Sequence, residues 1–373
     1  MGGTRYILAG GLIDGTGGAV RRNVVLTVED GFIAAIGSAA GHPRSGATPI
    51  DDLSHCVIVP ALVDCSVSLA RSPVAGAQSV SPAEKSALVA AHCRYCHDHG
   101  VLGVAENDDL SGLLEPDRAG GLLALRVAGA DFLKIRYSPG MEEEEAVASG
   151  VSHDDLHRIL QHKGGKRAVV VANGSRQVAE ALAAGCDAVE QGYAMGEANL
   201  RLMAARGVLW LPRLLTAKNG LDGARSDGAV CCRFSQRYVA PGKPLPGAEV
   251  FWKKTLADQM AQLRLARELG VAVAVGTGAG SFGILHGESV VEEMKLFMKA
   301  GYSLEETIRC ASANGAAFFG MKNLGALTVG RRATFLVTRG AVSQLPRKLA
   351  YLENIYVDGV PSIVYRKNPV RGA

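Results

Sequence analysis

No stretch of eighteen consecutive apolar residues occurs in this 373-residue sequence, so no membrane-spanning helix is expected. Long blocks of one charge are missing too. Lys and Arg total 40, Asp and Glu total 36, and the two signs are interspersed. A net charge of +4 spread in this way offers no basic patch, so charge gives no reason to expect nucleic acid as a partner. One dense acidic run, Glu142 to Glu145, reads as the start of a helix or a solvated face. The N-terminal MGGTRYILAGGLIDGTGG has no basic region followed by a long apolar segment, so no secretion signal is expected. The eight cysteines are then expected as reduced thiols in a cytoplasmic protein. Neither a fixed-period repeat nor a low-complexity segment is present. What the chain does have is 48% apolar and 20% charged residues, enough to bury a substantial core. Its length fits two ordinary domains or one large barrel with an appendage.

The first sixty residues read as β-structure. Residues 5–12 are apolar and end in a glycine-rich turn. Residues 23–29 alternate, and Asp30-Gly31 turns the chain into 32–36, a hairpin signal. Residues 55–59 form another apolar run, stopped by Pro60. From there to Phe319 the texture changes to strand–helix alternation. Strands are predicted at 62–69, 101–106, 132–137, 168–172, 188–190, 209–212 and 271–276. Helices are predicted at 83–97, 154–162, 175–184, 197–206, 251–269, 290–300 and 303–318. Repeated alternation predicts parallel βα units, and the simplest closed arrangement is a (β/α)8 TIM-like barrel. Between Glu106 and Asp131 only one helix, or a short helix plus the run 122–127, can be placed. Strand three or its helix is therefore expected to be shortened or missing. The tail returns to β-structure at 324–327, 333–337, 352–357 and 362–366, with Asp358-Gly359 as a turn. Residues 1–59 and 324–373 are expected to form one composite β-sandwich, with 60–323 as the barrel.

Six segments, in order, resemble the amidohydrolase superfamily, in its imidazolonepropionase/prolidase-like branch. VIVPALVDCSVSL (57–69) is similar to the family's strand-one entry P-G-L-(I/V)-D-x-H-x-H. DFLKI (131–135) resembles the strand-four lysine motif, VVVANG (169–174) strand five, and AVEQG (188–192) strand six. VAVGTGAGSFGILHG (273–287) is similar to strand eight, G-T-D-A-G followed by P-H-G. LGALTVGRRATFLV (324–337) resembles the return into the β domain. The resemblance implies a barrel mouth that holds one or two divalent metals, zinc or another, and activates water against carbon–nitrogen bonds.

Almost every implied metal ligand is replaced. The strand-one histidines fall on Ser66 and Ser68, the strand-five histidine on Val171 or Asn173, the strand-six histidine on Gln191, and the strand-eight aspartate on Gly278. The strand-four lysine remains as Lys134. Hydroxyls and carboxamides are poor zinc ligands, and glycine offers none, so no metal or other cofactor is expected. If the positions converge, Ser66→His, Ser68→His and Gly278→Asp together should raise zinc affinity over the parent.

Each candidate has a plain reading beside the functional one. Lys134 is either an ion-paired core lysine, with Glu190 or Glu106, or a base or Schiff-base nucleophile. Ser66 and Ser68 either fill the space of lost ligands or line a ligand site, with His286 as the nearest base on offer. Arg136, Tyr137, Tyr193 and Arg213 fall at or past strand ends. There the arginines could hold a carboxylate or phosphate, or simply form surface ion pairs. Cys93-Arg94-Tyr95-Cys96-His97 matches the haem-attachment spacing C-x-x-C-H, but the sequence context favours coincidence. Three functions are carried forward. The first is a small-molecule binder or scaffold without a metal centre. The others are a metal-independent enzyme using Lys134 with His286 or Glu190, and a hydrolase of non-peptide carbon–nitrogen bonds with an unorthodox metal site. The expected partner is a small molecule, with no nucleic acid or membrane. Homo-oligomerisation is open.

Overall fold

A computed structural model describes residues 3–40, 48–74, 81–108, 126–128, 132–138, 150–226, 229–231, 237–239 and 244–367. The chain opens with β1 (Thr4–Leu12), β2 (Arg21–Glu29), β3 (Phe32–Ser38) and β4 (Ile50–Pro60). The β2–β3 turn places Asp30 at φ 51° and Gly31 at φ 82°, a left-handed pair that suits the twist of a tight hairpin.

A run of parallel units follows. They are β5 (Leu62–Val67), α1 (Pro82–Asp98), β6 (Val101–Glu106), β7 (Arg126–Ala128), β8 (Phe132–Arg136), α2 (His153–Gln161), β9 (Arg167–Ala172), α3 (Ser175–Ala183), β10 (Ala188–Gln191), α4 (Glu197–Arg206) and β11 (Leu209–Leu211). Local chemistry sets several boundaries. Ser81 and Glu84 form a reciprocal capping box with Pro82 at the first turn of α1, and Gly207 ends α4 in the left-handed conformation. After β11 come α5 (Leu214–Arg225), the hairpin β12 (Ala229–Cys231) and β13 (Arg237–Val239), and α6 (Ala248–Leu269). Next are α7 (Glu288–Lys299), α8 (Leu304–Cys310) and α9 (Ala313–Phe318). The tail strands are β14 (Phe335–Arg339), β15 (Asn354–Val357) and β16 (Val360–Pro361).

The parallel strands pair in two runs. β5 pairs with β6 and β6 with β7; β8, β9, β10 and β11 pair in turn. Residues 271–279 complete the next step as an irregular eighth segment. Trp210 N donates to Ala272 O at 2.9 Å and Ala274 N to Trp210 O at 3.0 Å. On the other side Cys65 N reaches Val275 O at 2.9 Å and Gly278 N reaches Ser66 O at 2.8 Å. The β7–β8 join lies beside residues 129–131, outside the described residues.

The composite β domain is one hydrogen-bonded sheet, in the order β16-β15-β14-β4-β1-β2-β3, rather than the two sheets of a sandwich. Its far edge curls back, because Phe32 bridges Arg332 just ahead of β14. Alternation along β4 divides two cores. Cys56 and Ile58 face the sheet's own core with Phe335 and Val337, whereas Val57 and Val59 join the large core under the parallel strands.

Several expectations need correction. Residues 303–318 are not one helix. The Ser312 hydroxyl donates to Ile308 O at 2.6 Å, and the chain breaks there (φ −142°, ψ −80°) into α8 and α9. Residues 324–327 and 362–366 are not strands; Leu327 N instead donates to Asp14 O at 2.8 Å. Helix α5 went unpredicted because Gly220 and Gly223 weaken its signal. Gly220 is there for space, since a Cβ on it would lie 2.4 Å from the Trp252 ring on α6. Strand three exists as the three-residue β7. The expected helix ahead of it and the acidic run Glu142 to Glu145 lie outside the described residues.

Candidate functional site at the strand ends

Strand register brings the candidate residues together. Ser66 and Ser68 are two apart on one extended segment, so they share a face. Arg136, Val171, Glu190 and Leu211 lie in register across β8, β9, β10 and β11, with Lys134 two residues before Arg136 on the same face. Arg213 follows Leu211 by two residues. It is the N-cap of α5 and adopts the left-handed conformation, uncommon for a non-glycine residue, at φ 49° and ψ 53°.

At the centre lies the fully buried Glu190. Lys134 Nζ is 3.0 Å from its Oε1 and 2.8 Å from its Oε2. Arg213 Nη1 is 3.2 Å from Oε1, and the Ser66 hydroxyl donates to the same oxygen at 3.0 Å. Lys134 Nζ also donates to Ser66 Oγ at 3.3 Å and to Asn107 Oδ1 at 2.5 Å. Asn107 Nδ2 in turn donates to Ser66 Oγ at 3.3 Å and Ser68 Oγ at 3.4 Å. Burial pushes the Glu190 carboxyl up, but Lys134 and Arg213 outweigh it and hold the group below its ordinary range. Of the two carboxylates considered for Lys134, Glu190 is the partner. Glu106 instead accepts from the backbone N–H groups of Leu69 and Asp108, each at 2.8 Å.

Gly278 faces the Arg213 guanidinium. A Cβ on it would lie 1.9 Å from Nη2 and 2.4 Å from Cζ, and its φ is +76°. Arg213 thus fills the space that a strand-eight side chain would need. The expectation that Gly278→Asp, with the two serine-to-histidine changes, raises zinc affinity over the parent has to contend with this contact. The new carboxylate would meet a guanidinium before any metal.

The remaining candidates divide. Asn173 Nδ2 donates to Gln191 Oε1 at 2.6 Å, and Asn173 Oδ1 accepts from Tyr193 N at 3.0 Å. The Tyr193 hydroxyl donates to Arg213 O at 2.9 Å, so this trio supports the arginine from below its main chain. Tyr137 donates to Glu180 at 2.5 Å; burial and that carboxylate push its phenol up to about 12. His286 does not join the Lys134 network. It stacks on His92 with ring centroids 3.6 Å apart, and its Nε2 is 3.0 Å from Ser68 O. Burial, then His92, brings its pKa down to about 3, so the ring is neutral and Nε2 donates. That geometry ties His286 to the backbone and away from a proton-carrier role beside Lys134. Cys93 and Cys96 are buried thiols whose pKa burial raises. Among the described residues, no group of three His, Cys, Asp or Glu side chains converges to hold a metal.

Sequence reasoning missed four contributors. Asp64 ties the first and eighth segments together. It accepts from Thr277 N at 2.8 Å and Thr277 Oγ1 at 2.5 Å, and the D of the P-x-L-V-D entry was its signal. Asn107 follows the end of β6 and carried no signal. Ser281 Oγ accepts from Arg213 Nη2 at 3.3 Å. Glu293, fully buried on α7, accepts from Leu214 N and Leu215 N at 2.7 Å each and so fixes the first turn of α5 behind Arg213.

These carboxyls give the protein a pH signature. Burial pushes Asp64 up to about 6, Glu106 to about 7 and Glu293 to about 8. Each is raised, so the folded state holds protons that the unfolded chain has already released above its ordinary carboxyl range. Their contribution is full at low pH and is lost as pH rises through those values. A melting temperature that falls by roughly 5 °C between pH 5 and pH 8 is expected by scanning calorimetry. A flat or rising profile would contradict neutral burial of these groups.

Residues 124–368 match the amidohydrolase family. No curated protein matches the chain. Among solved structures, a Xaa-Pro dipeptidase with methionine bound in its active site superimposes at TM-score 0.81 and 18% identity, covering 96% of this chain and 99% of that one. An ochratoxinase from A. niger superimposes at TM-score 0.75 and 16% identity, covering 96% and 95%. A prolidase complexed with N-methylphosphonate-L-proline gives TM-score 0.74 and 15% identity, covering 96% and 99%. At these identities the likeness is one of fold, a TIM-barrel-type domain with a β domain attached. By the match over residues 124–368, about two thirds of its length, this chain belongs to the amidohydrolase family.

Proposed function

We propose that this protein is a non-hydrolytic member of its family that binds a small molecule at the strand ends, with fixed cations where the family places metal. The two runs of parallel strands are read as a complete (β/α)8 barrel over residues 60–323, with 1–59 and 324–373 as the β domain. One observation carries the reading: the Arg213 guanidinium occupies the space over Gly278. The residues present do not fit a divalent metal. Two hydroxyls and a glycine stand at three ligand positions, and two cations already share the Glu190 carboxylate. Lys134 keeps 18% of its side chain exposed, so a ligand entering the mouth meets an ammonium beside Asn107. A carboxylate or carbonyl oxygen suits that end of the site.

The test is elemental analysis after zinc loading and desalting, run beside a thermal-shift screen of small carboxylic acids. Less than about a tenth of a metal per chain is expected, with a ligand that raises the melting temperature and is recovered unchanged. One metal per chain surviving desalting, with chelator-sensitive hydrolysis, would overturn this reading in favour of a hydrolase of carbon–nitrogen bonds. Borohydride trapping of a carbonyl ligand, lost in Lys134→Ala, would favour a lysine enzyme.

A further inference from the structure

A second polar cluster lies at the other end of the parallel strands. Helix α1 runs through Gly100 directly into the first residue of β6, so its C-terminus sits at the N-terminal ends of the strands. There His97 Nδ1 lies 3.4 Å from Asp98 Oδ1, and His97 Nε2 lies 3.2 Å from Ser362 Oγ. Arg366 completes the group, with Nε 2.7 Å from Asp98 Oδ2 and its backbone N 3.2 Å from Oδ1. Histidine and aspartate are buried, with side chains 1% and 0% exposed. Ser362 is only half-buried, and the next residue, Ile363, is 99% exposed.

The charge on Asp98 constrains the network. Burial pushes the Asp98 carboxyl up, but His97 and Arg366 pull it further down, so it is ionised and can only accept. In the tautomer with the proton on Nδ1, toward Asp98, His97 Nε2 is the acceptor and the Ser362 hydroxyl its donor. His97 also lies in the last turn of α1. A hydroxyl on an imidazole that a buried carboxylate orients is the arrangement that activates serine, whatever the fold around it.

We propose that Ser362, His97 and Asp98 form a second reactive centre, in which Ser362 accepts the acyl group of a small activated ester from solution. Ser362 Oγ adds to the ester carbonyl carbon while its proton passes to His97 Nε2. The adduct collapses, the carbon–oxygen bond to the leaving group breaks, and that oxygen takes the proton from His97 and departs as the alcohol. The acyl group stays on Ser362 as an ester. Water releases it as the acid by the same proton path, restoring the serine. Asp98 and Arg366 are positioning residues.

The probes are p-nitrophenyl acetate and a fluorophosphonate, applied to the full chain. A burst of about one p-nitrophenolate per chain is expected, with the acetyl or phosphonyl group mapped to Ser362 by peptide mass spectrometry. Ser362→Ala abolishes the burst and the label, and His97→Gln slows acylation at least ~100-fold. Should His97→Gln fail to fold, Ser362→Cys supplies the second readout: iodoacetamide alkylates the new thiol at pH 7 at least ~10-fold faster than a free cysteine. Absence of label at Ser362, an equal rate in a folded His97→Gln, or an ordinary thiol rate would overturn the proposal and leave the cluster as a latch for the chain's tail.

Discussion

Glu190→Gln is expected to destabilise the protein by about 3–5 kcal/mol, the size of effect seen when one partner of a buried ion pair is removed. Glutamine keeps the volume and both polar ends of the side chain but not the charge. Lys134 and Arg213, which share Glu190, would then face each other with no anion between them among the groups bonded to it. Denaturant midpoints at constant slope would measure the loss. Lys134→Met added to Glu190→Gln should recover part of it, because one of the two stranded cations goes; the two changes are then strongly non-additive. A loss below about 1 kcal/mol would show that water reaches the cluster and that the charges are not buried in solution.

The second large effect concerns metal. Ser66→His, Ser68→His and Gly278→Asp together should give no measurable zinc binding while Arg213 is present. The aspartate would sit against the guanidinium, since even its Cβ falls 1.9 Å from Nη2. Adding Arg213→Ala removes that cation and opens the space. The fourfold variant should bind zinc at least ~10-fold more tightly than the threefold one, as read by isothermal titration calorimetry. Equal binding by both variants would mean that Arg213 swings away freely and does not block the site.

Much of the fold was legible because it rests on local patterns. The 101–106 strand and the 197–206 helix agree with β6 and α4 residue for residue. Both turns, Asp30-Gly31 and Asp358-Gly359, adopt the left-handed pair that their residues favour. The failures share another cause. Residues 271–276 read as a strand, but glycines at 276, 278 and 280 leave only isolated pairings, secured by hydrogen bonds from β5 and β11. Residues 303–318 read as one helix until a serine hydroxyl took a backbone carbonyl. Helix α5 was hidden by two glycines, and the purpose of Gly220 shows only against Trp252.

The site divides in the same way. Motif order named Lys134, Ser66, Ser68, Glu190, Gln191 and Gly278, and strand periodicity put the serines on one face. Arg213 was noticed only as a residue past a strand end, with surface pairing as its plain reading. Its burial against Glu190, its place over Gly278 and its support by Glu293 from a helix eighty residues later depend on contacts between distant parts of the chain.

The sequence by itself determined the family, the run of parallel units and the replacement of the ligand positions, because each is written in contiguous residues with a fixed period or order. Only the tertiary structure decided what replaced those ligands. Which cation meets which carboxylate, and which side chain fills a glycine's missing volume, is set by strands that close on one another and not by spacing along the chain.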